Sequence, residues 1–216
     1  MEPTLEIRKL NSIEDGIALL REVEFYGRHS HDAQDRINKD SWKKFIEKWV
    51  CDHGDWSITE HEKVTVIATM DRGISHEWVR HRLGAYTQES TRFVNYTRPG
   101  HEAGFIEPPL SNGLSHAVWA TAMEHAETAY KALITLGERP EIARSVFPTG
   151  LKTRVVTTYN LRNWRHFFLM RTCREAHPQI KQLTIPLLNA FKEYIPYLYA
   201  DIEPETSQAE NARKSR

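Results

Sequence analysis

The chain has 216 residues, enough for one domain with a substantial core. Its 29 basic and 29 acidic side chains cancel, which excludes a global nucleic-acid footprint and leaves phosphate binding to a local cluster. No apolar run approaches the roughly 20 residues of a membrane span, and Cys51 and Cys173, far apart and without a secretory signal, predict a reduced, cytoplasmic protein.

Taken in order, residues 5–10 open with strand-like alternation. Asn11 or Ser12 then caps a helix with Ile13, Ile17, Leu20 and Val23 on one face. Arg28-His29-Ser30-His31-Asp32 breaks that pattern and reads as a surface loop, because no third metal ligand stands at a familiar spacing. From Ser41 to Cys51, the residues Trp42, Phe45, Ile46, Trp49 and Val50 form a core stripe at helical spacing. Ser57-Ile58-Thr59-Glu60-His61 leads into a β-branched strand over 63–70. Ile74 and Trp78 mark a helix from Gly73 to about Leu83, with Gly84 as its C-cap. Residues 85–91 have neither period and read as an ordered loop.

After a short extended piece at 104–109 comes the longest helix, 111–136. Its apolar face runs from Val118, Trp119, Ala122 and Met123 through Ala126, Ala129 and Tyr130 to Leu133 and Ile134. A short helix over 141–146 presents Arg144, and a β-branched run over 153–159 reads as another strand. Asn160 starts a helix bearing Arg162, His166 and Arg171. Pro178 starts the last helix, which Pro186 should kink or divide. These elements predict one α+β domain over residues 1–204, a mostly antiparallel sheet flanked by helices, followed by a disordered polar tail over 205–216. Because the connections between strands are long and helical, the sheet order stays open.

The densest chemistry lies in Arg80-His81-Arg82, followed by Ser90-Thr91-Arg92-Phe93. Forked guanidinium donors beside hydroxyls and backbone N–H groups suit an anion. A solvated, salt-bridged face near Glu77 and Glu89 would show the same residue types. His76-Glu77 with His81 imitates a zinc helix, but the second histidine of that motif would fall at position 80, which is Arg80. A nucleotide- or RNA-binding module using Trp78, Tyr86 and Tyr96 as stacking groups is the non-enzymatic alternative.

Arg-His-Arg, seven residues, then Ser-x-Arg-aromatic resembles the signature of the flavin-dependent thymidylate synthases. The similarity extends co-linearly from about Gly54 to Tyr197, with Ser57 and Glu60 ahead of the signature and Asn160, Arg162 and His166 after it. It implies a homotetramer with sites at subunit interfaces, converting dUMP to dTMP with FAD, NADPH and 5,10-methylenetetrahydrofolate. The resemblance assigns the flavin to Ser57, Glu60, Arg80, His81, Arg82, Gln88, Asn160, Arg162 and His166. It assigns the nucleotide to Glu77, Arg80, Gln88, Glu89, Ser90, Thr91, Arg92, Arg144 and Arg171, with Arg171 and Ser90 at the chemistry. No metal, membrane or nucleic-acid partner is implied. Asp55, Glu77, Ala85, Gln88 and Phe93 depart from the common pattern, which leaves open a relative acting on another pyrimidine nucleotide.

Overall fold

Buried and half-buried side chains alternate along β2 (Lys63–Asp71), where Val64, Val66, Ala68 and Met70 enter the core. The computed structural model, which describes residues 1–205, places this strand in a four-stranded antiparallel sheet. Its partners are β1 (Thr4–Arg8), β3 (Ala85–Gln88) and β4 (Lys152–Asn160), in the order β1-β2-β4-β3. Three strands are those read from the sequence; β3 falls where a loop was expected. The architecture is α+β, as expected. The predicted tail lies outside the described residues except for Glu205, whose N–H donates to the Thr172 carbonyl at 2.9 Å.

The chain divides into two compact units. The first comprises Met1–Leu5, Ile67–Arg82 and Tyr86–Val156. In it, the Asp71 carboxylate accepts from the Ile74 N–H at 2.8 Å and starts α3 (Arg72–Trp78). This helix stops five residues short of the predicted end. The long helix α4 (Gly113–Thr135), capped by Asn112, is followed by α5 (Pro140–Ala143) and a 3₁₀ turn over Arg144–Val146. Tyr96, Tyr130, Ala143 and Leu151 make the core, with Tyr130 stacked on Phe147 at 4.6 Å. Only Tyr130 of α4 is fully buried, while Leu114 and Val118 are 82% and 72% exposed. Its apolar face is therefore only partly covered within this chain.

The second unit comprises Glu6–Val66, Leu83–Ala85 and the residues from Thr157 onward. Ser12 caps α1 (Ile13–His29) by accepting from the Asp15 N–H, as the sequence indicated. The helix continues through Arg28 and His29, where a break was expected, and Ile13 is largely exposed. Its packed face is Gly16, Leu20, Val23, Glu24 and Gly27, because the two glycines admit neighbours closely. A short helix, α2 (Ser41–Phe45), widens into a π-helix over Ile46–Asp52. Of the predicted core stripe, Trp42, Phe45, Ile46 and Val50 are buried, and Trp49, in the widened turn, is half-buried. A 3₁₀ turn over Trp56–Glu60 follows.

Asn160 caps α6 (Leu161–Arg171), accepting from the Asn163 N–H at 2.8 Å. The last helix, α7 (Pro178–Tyr194), is continuous through Pro186, so the predicted division does not occur. Both Pro186 and Gln182 are exposed, so water can satisfy the carbonyl that the proline leaves without a donor. Trp164, Phe167, Phe168, Phe191 and Tyr199 form an aromatic core, and Trp164 donates to the Val64 carbonyl at 3.0 Å.

Arg165 donates to Asp201 at 2.7 Å and to the Leu198 carbonyl at 2.9 Å, with its guanidinium 4.4 Å above the Trp56 ring. The hydrogen bonds from Arg165 hold the Asp201 carboxyl below its ordinary range. A carboxylate with a depressed folded pKa stabilises the fold above its unfolded pKa of about 3.9, and loses that contribution as pH falls through the folded value. Asp201 is 63% exposed, so the contribution is at most about 1 kcal/mol. Urea melts of Asp201→Asn should show it less stable than wild type at pH 7, with the gap closing in acid.

Candidate active site

Arg80, His81 and Arg82 lie beyond the end of α3, in a turn leading away from it. Val79 leaves the helix at ψ near 0°. The Tyr86 hydroxyl donates to the His81 carbonyl in that turn and lies 3.5 Å from the carbonyl of Trp78, the last helical residue. Arg80 and Arg82 are exposed, and His81 is half-buried. Gly84 is not a C-cap. A Cβ there would meet the Tyr159 ring at 2.2 Å, so glycine permits a close approach of backbone to ring. The neighbouring Leu83 takes a positive φ of 67°, and Asn163 donates to its carbonyl at 2.9 Å. Tyr86→Phe should cost about 1 kcal/mol in urea melts and speed amide exchange over residues 78–82.

The first unit gathers most of the predicted nucleotide residues. Beyond β3, Ser90 nucleates a turn: its carbonyl accepts from Phe93 and Val94, and its hydroxyl accepts from the Arg92 N–H at 3.3 Å. Buried Thr91 accepts from Arg144 Nη1 at 2.6 Å. Arg144 Nε also donates to the Glu141 carbonyl at 3.2 Å. The Glu141 carboxylate pairs with Arg92 at 3.5 Å and Arg139 at 2.8 Å. Thr91 and Arg92 thus meet Arg144, distant from them in sequence, around Glu141 of α5 and the 3₁₀ turn after it. The turn is fixed from behind, since the Tyr96 N–H donates to Tyr130 Oη.

Gln88 spends its amide on Ser75 Oγ at 2.9 Å and Thr153 Oγ1 at 3.2 Å. The Glu89 carboxylate accepts from Lys152 at 3.1 Å and Tyr96 at 3.4 Å. Burial first, then the nearby Glu89 charge, pushes the Tyr96 phenol well above its ordinary range, keeping it a donor. These two residues hold the loop in the described geometry. Glu77 is half-buried on α3.

The second unit holds the remaining predicted residues. Arg162 pairs with Glu60 at 2.6 Å, and His166 is exposed one turn further along α6. A groove runs between Glu60, Lys63, Leu83–Ala85, Thr158 and Asn160. Ser57 lines a separate cleft with Arg28 and Trp49. Arg171 ends α6, its carbonyl accepting from Thr184 at 2.8 Å, so it belongs to a different unit from Arg92 and Arg144.

Residues 18–197 match the family described as thymidylate synthase complementing protein, Thy1. A Saccharolobus solfataricus flavin-dependent thymidylate synthase is 34% identical over 190 residues, covering 84% of this chain and 71% of the relative. Enzymes of the same name from Geobacter sulfurreducens and Mycolicibacterium vanbaalenii are 29% and 31% identical, covering 80% and 88% of this chain and 75% and 81% of theirs. The chain belongs to the flavin-dependent thymidylate synthase family. It is an enzyme of that family, and the matched stretch contains every site residue named above.

Sequence reasoning missed Glu141, Lys152, Tyr86 and Asn163 as organisers of the site. Only Glu141 left a signal, one helical turn ahead of Arg144. Among the described residues, no helix is long and apolar enough to cross a membrane.

Proposed function

We propose that the enzyme makes thymidylate from deoxyuridylate, with 5,10-methylenetetrahydrofolate as carbon donor and NADPH as reductant of bound FAD. The convergence of Thr91, Arg92 and Arg144 on one turn carries this reading within the family match. Arg92 and Arg144 bring forked cations to a nucleotide phosphate, and a phosphate dianion can replace the Glu141 carboxylate as the partner of Arg92. Ser90 hydrogen-bonds the nucleotide, its hydroxyl oriented by the N–H of Arg92. Arg171 polarises the uracil ring and favours its ionised imide.

The donor set of the second unit suits a flavin dinucleotide. Arg162 offers charge to phosphate, Glu60 accepts from hydroxyls, and the Asn160 amide retains donors beyond its capping bond. Arg80, His81, Arg82, Ser57, Gln88 and His166 complete the proposed flavin set, and Glu77 and Glu89 flank the nucleotide. When bound, FAD supplies the hydride. The enzyme assembles as a homotetramer, and the exposed apolar side chains of α4 support association of copies, since an uncovered apolar face favours it. Thiols at Cys51 and Cys173 suit the cytoplasm.

The test is the visible spectrum of purified protein after FAD is added and excess removed. An oxidised-flavin spectrum, bleached by NADPH and coupled to thymidylate formation, supports the proposal. Protein that takes up no FAD sinks it. Flavin bound without turnover of deoxyuridylate redirects attention to another pyrimidine nucleotide.

A further inference from the structure

Glu89 stands immediately before Ser90, where the chain leaves β3 for the turn that carries Arg92. Both its backbone and its side chain are tied down. The N–H donates to the Arg154 carbonyl at 2.9 Å, and the carbonyl accepts from Arg72 Nη1 at 3.5 Å. One carboxylate oxygen accepts from the Tyr96 hydroxyl at 3.4 Å and the other from Lys152 Nζ at 3.1 Å. Lys152 opens β4, and its backbone N–H donates to the Gly104 carbonyl at 2.8 Å, which fixes the point from which its side chain extends. The paired side chains are only 18% and 21% exposed, so salt screens them little.

This carboxylate has the wrong sign for its place. It sits at the entrance to a turn whose proposed ligand is an anion, and a like charge beside a phosphate repels it. Arg92 already shares the Glu141 carboxylate with Arg139, at 3.5 Å and 2.8 Å. A second carboxylate released at the same turn would compete with a phosphate for that guanidinium. Lys152 supplies the one full positive charge that the Glu89 carboxylate meets among the described contacts.

We propose that Lys152 is a positioning residue for nucleotide binding: by pairing with Glu89 it neutralises that carboxylate and holds it against β4, which leaves Arg92 and Arg144 to the nucleotide phosphate. Lys152 acts through Glu89 and not on the substrate. The inference rests on the proposed function, because it takes a nucleotide phosphate as the partner of Arg92.

The test is a double-mutant cycle on the full-length protein with FAD bound: wild type, Lys152→Met, Glu89→Gln and the double variant. The dUMP dissociation constant, KM and kcat are measured for each. Lys152→Met frees the Glu89 carboxylate and should raise the dUMP dissociation constant and KM about tenfold, with kcat within about threefold of wild type and FAD retained. The Glu89→Gln background has no carboxylate to release, so adding Lys152→Met there should change dUMP binding by less than about twofold. A merely structural lysine would penalise both backgrounds alike, so equal penalties overturn the proposal. Wild-type dUMP binding by Lys152→Met also overturns it. If Lys152→Met does not fold, Lys152→Arg decides: it keeps the charge and should stay within about threefold of the wild-type dissociation constant, and a loss of about tenfold in the folded variant overturns the proposal. Each of these failures leaves the proposed function standing. Wild type that holds FAD and binds no dUMP overturns both.

Discussion

Arg144→Ala should lower kcat/KM for deoxyuridylate by about two orders of magnitude while FAD remains bound. Arg144 donates to buried Thr91 and to the Glu141 carbonyl, so its guanidinium enters the site already oriented. Truncating a charge that meets a desolvated partner costs about 2–5 kcal/mol, and each 1.4 kcal/mol is a factor of ten. The loss should appear chiefly in the dUMP dissociation constant and KM if the side chain meets the phosphate. Arg144→Lys keeps the charge but loses the fork, and should recover only part of the affinity. Steady-state kinetics with dUMP varied, beside the flavin absorbance of each variant, checks this. Equal loss of FAD would instead mean that the substitution unfolds the turn. Unchanged kinetics would remove Arg144 from the site.

Gly16→Ala should destabilise the protein by about 3 kcal/mol or more. Alanine normally favours a helix interior over glycine by about 1 kcal/mol, so propensity alone predicts the opposite sign. Here an added Cβ would stand 1.6 Å from the Tyr194 carbonyl oxygen and 2.5 Å from its carbon. Those are backbone atoms at the end of α7, which cannot move aside as a side-chain tip can. Overpacking usually costs about 1–3 kcal/mol, and a backbone collision belongs at the upper end or above. For a chain of this size the melting temperature should fall by roughly 6–12 °C. Gly113→Ala is the control: nothing lies within 4 Å of its Cβ position, and its melting temperature should stay within about 2 °C of wild type. A Gly16→Ala protein as stable as wild type would show that α1 and α7 do not pack as described.

The strands β2 and β4 were legible because β-branched runs allow little else locally, and Ser12 and Asn160 were legible as helix starts because their oxygens satisfy nearby N–H groups. The end of α3 was not. Gly84 looked like a cap, but the helix stops at Trp78, with the Tyr86 hydroxyl on the His81 carbonyl in the turn beyond and Gly84 placed by the Tyr159 ring. Trp49 followed the 3.6-residue pattern of its neighbours, yet in the π-helix it is only half-buried. Periodicity assumes the regular helix and cannot register such a change.

The sequence by itself determined the sheet's main strands, the family and the residue types available for anion and flavin chemistry. Those features depend on local sterics and on motif spacing, which the chain carries along its length. Only the tertiary structure decided that Thr91, Arg92 and Arg144 meet around Glu141, and that Gln88 and Glu89 turn their side chains to Ser75, Thr153, Lys152 and Tyr96. It also decided that α4 leaves apolar residues exposed. Most of these pairings join residues about fifty or more positions apart, and each forms only when packing elsewhere has fixed both backbones.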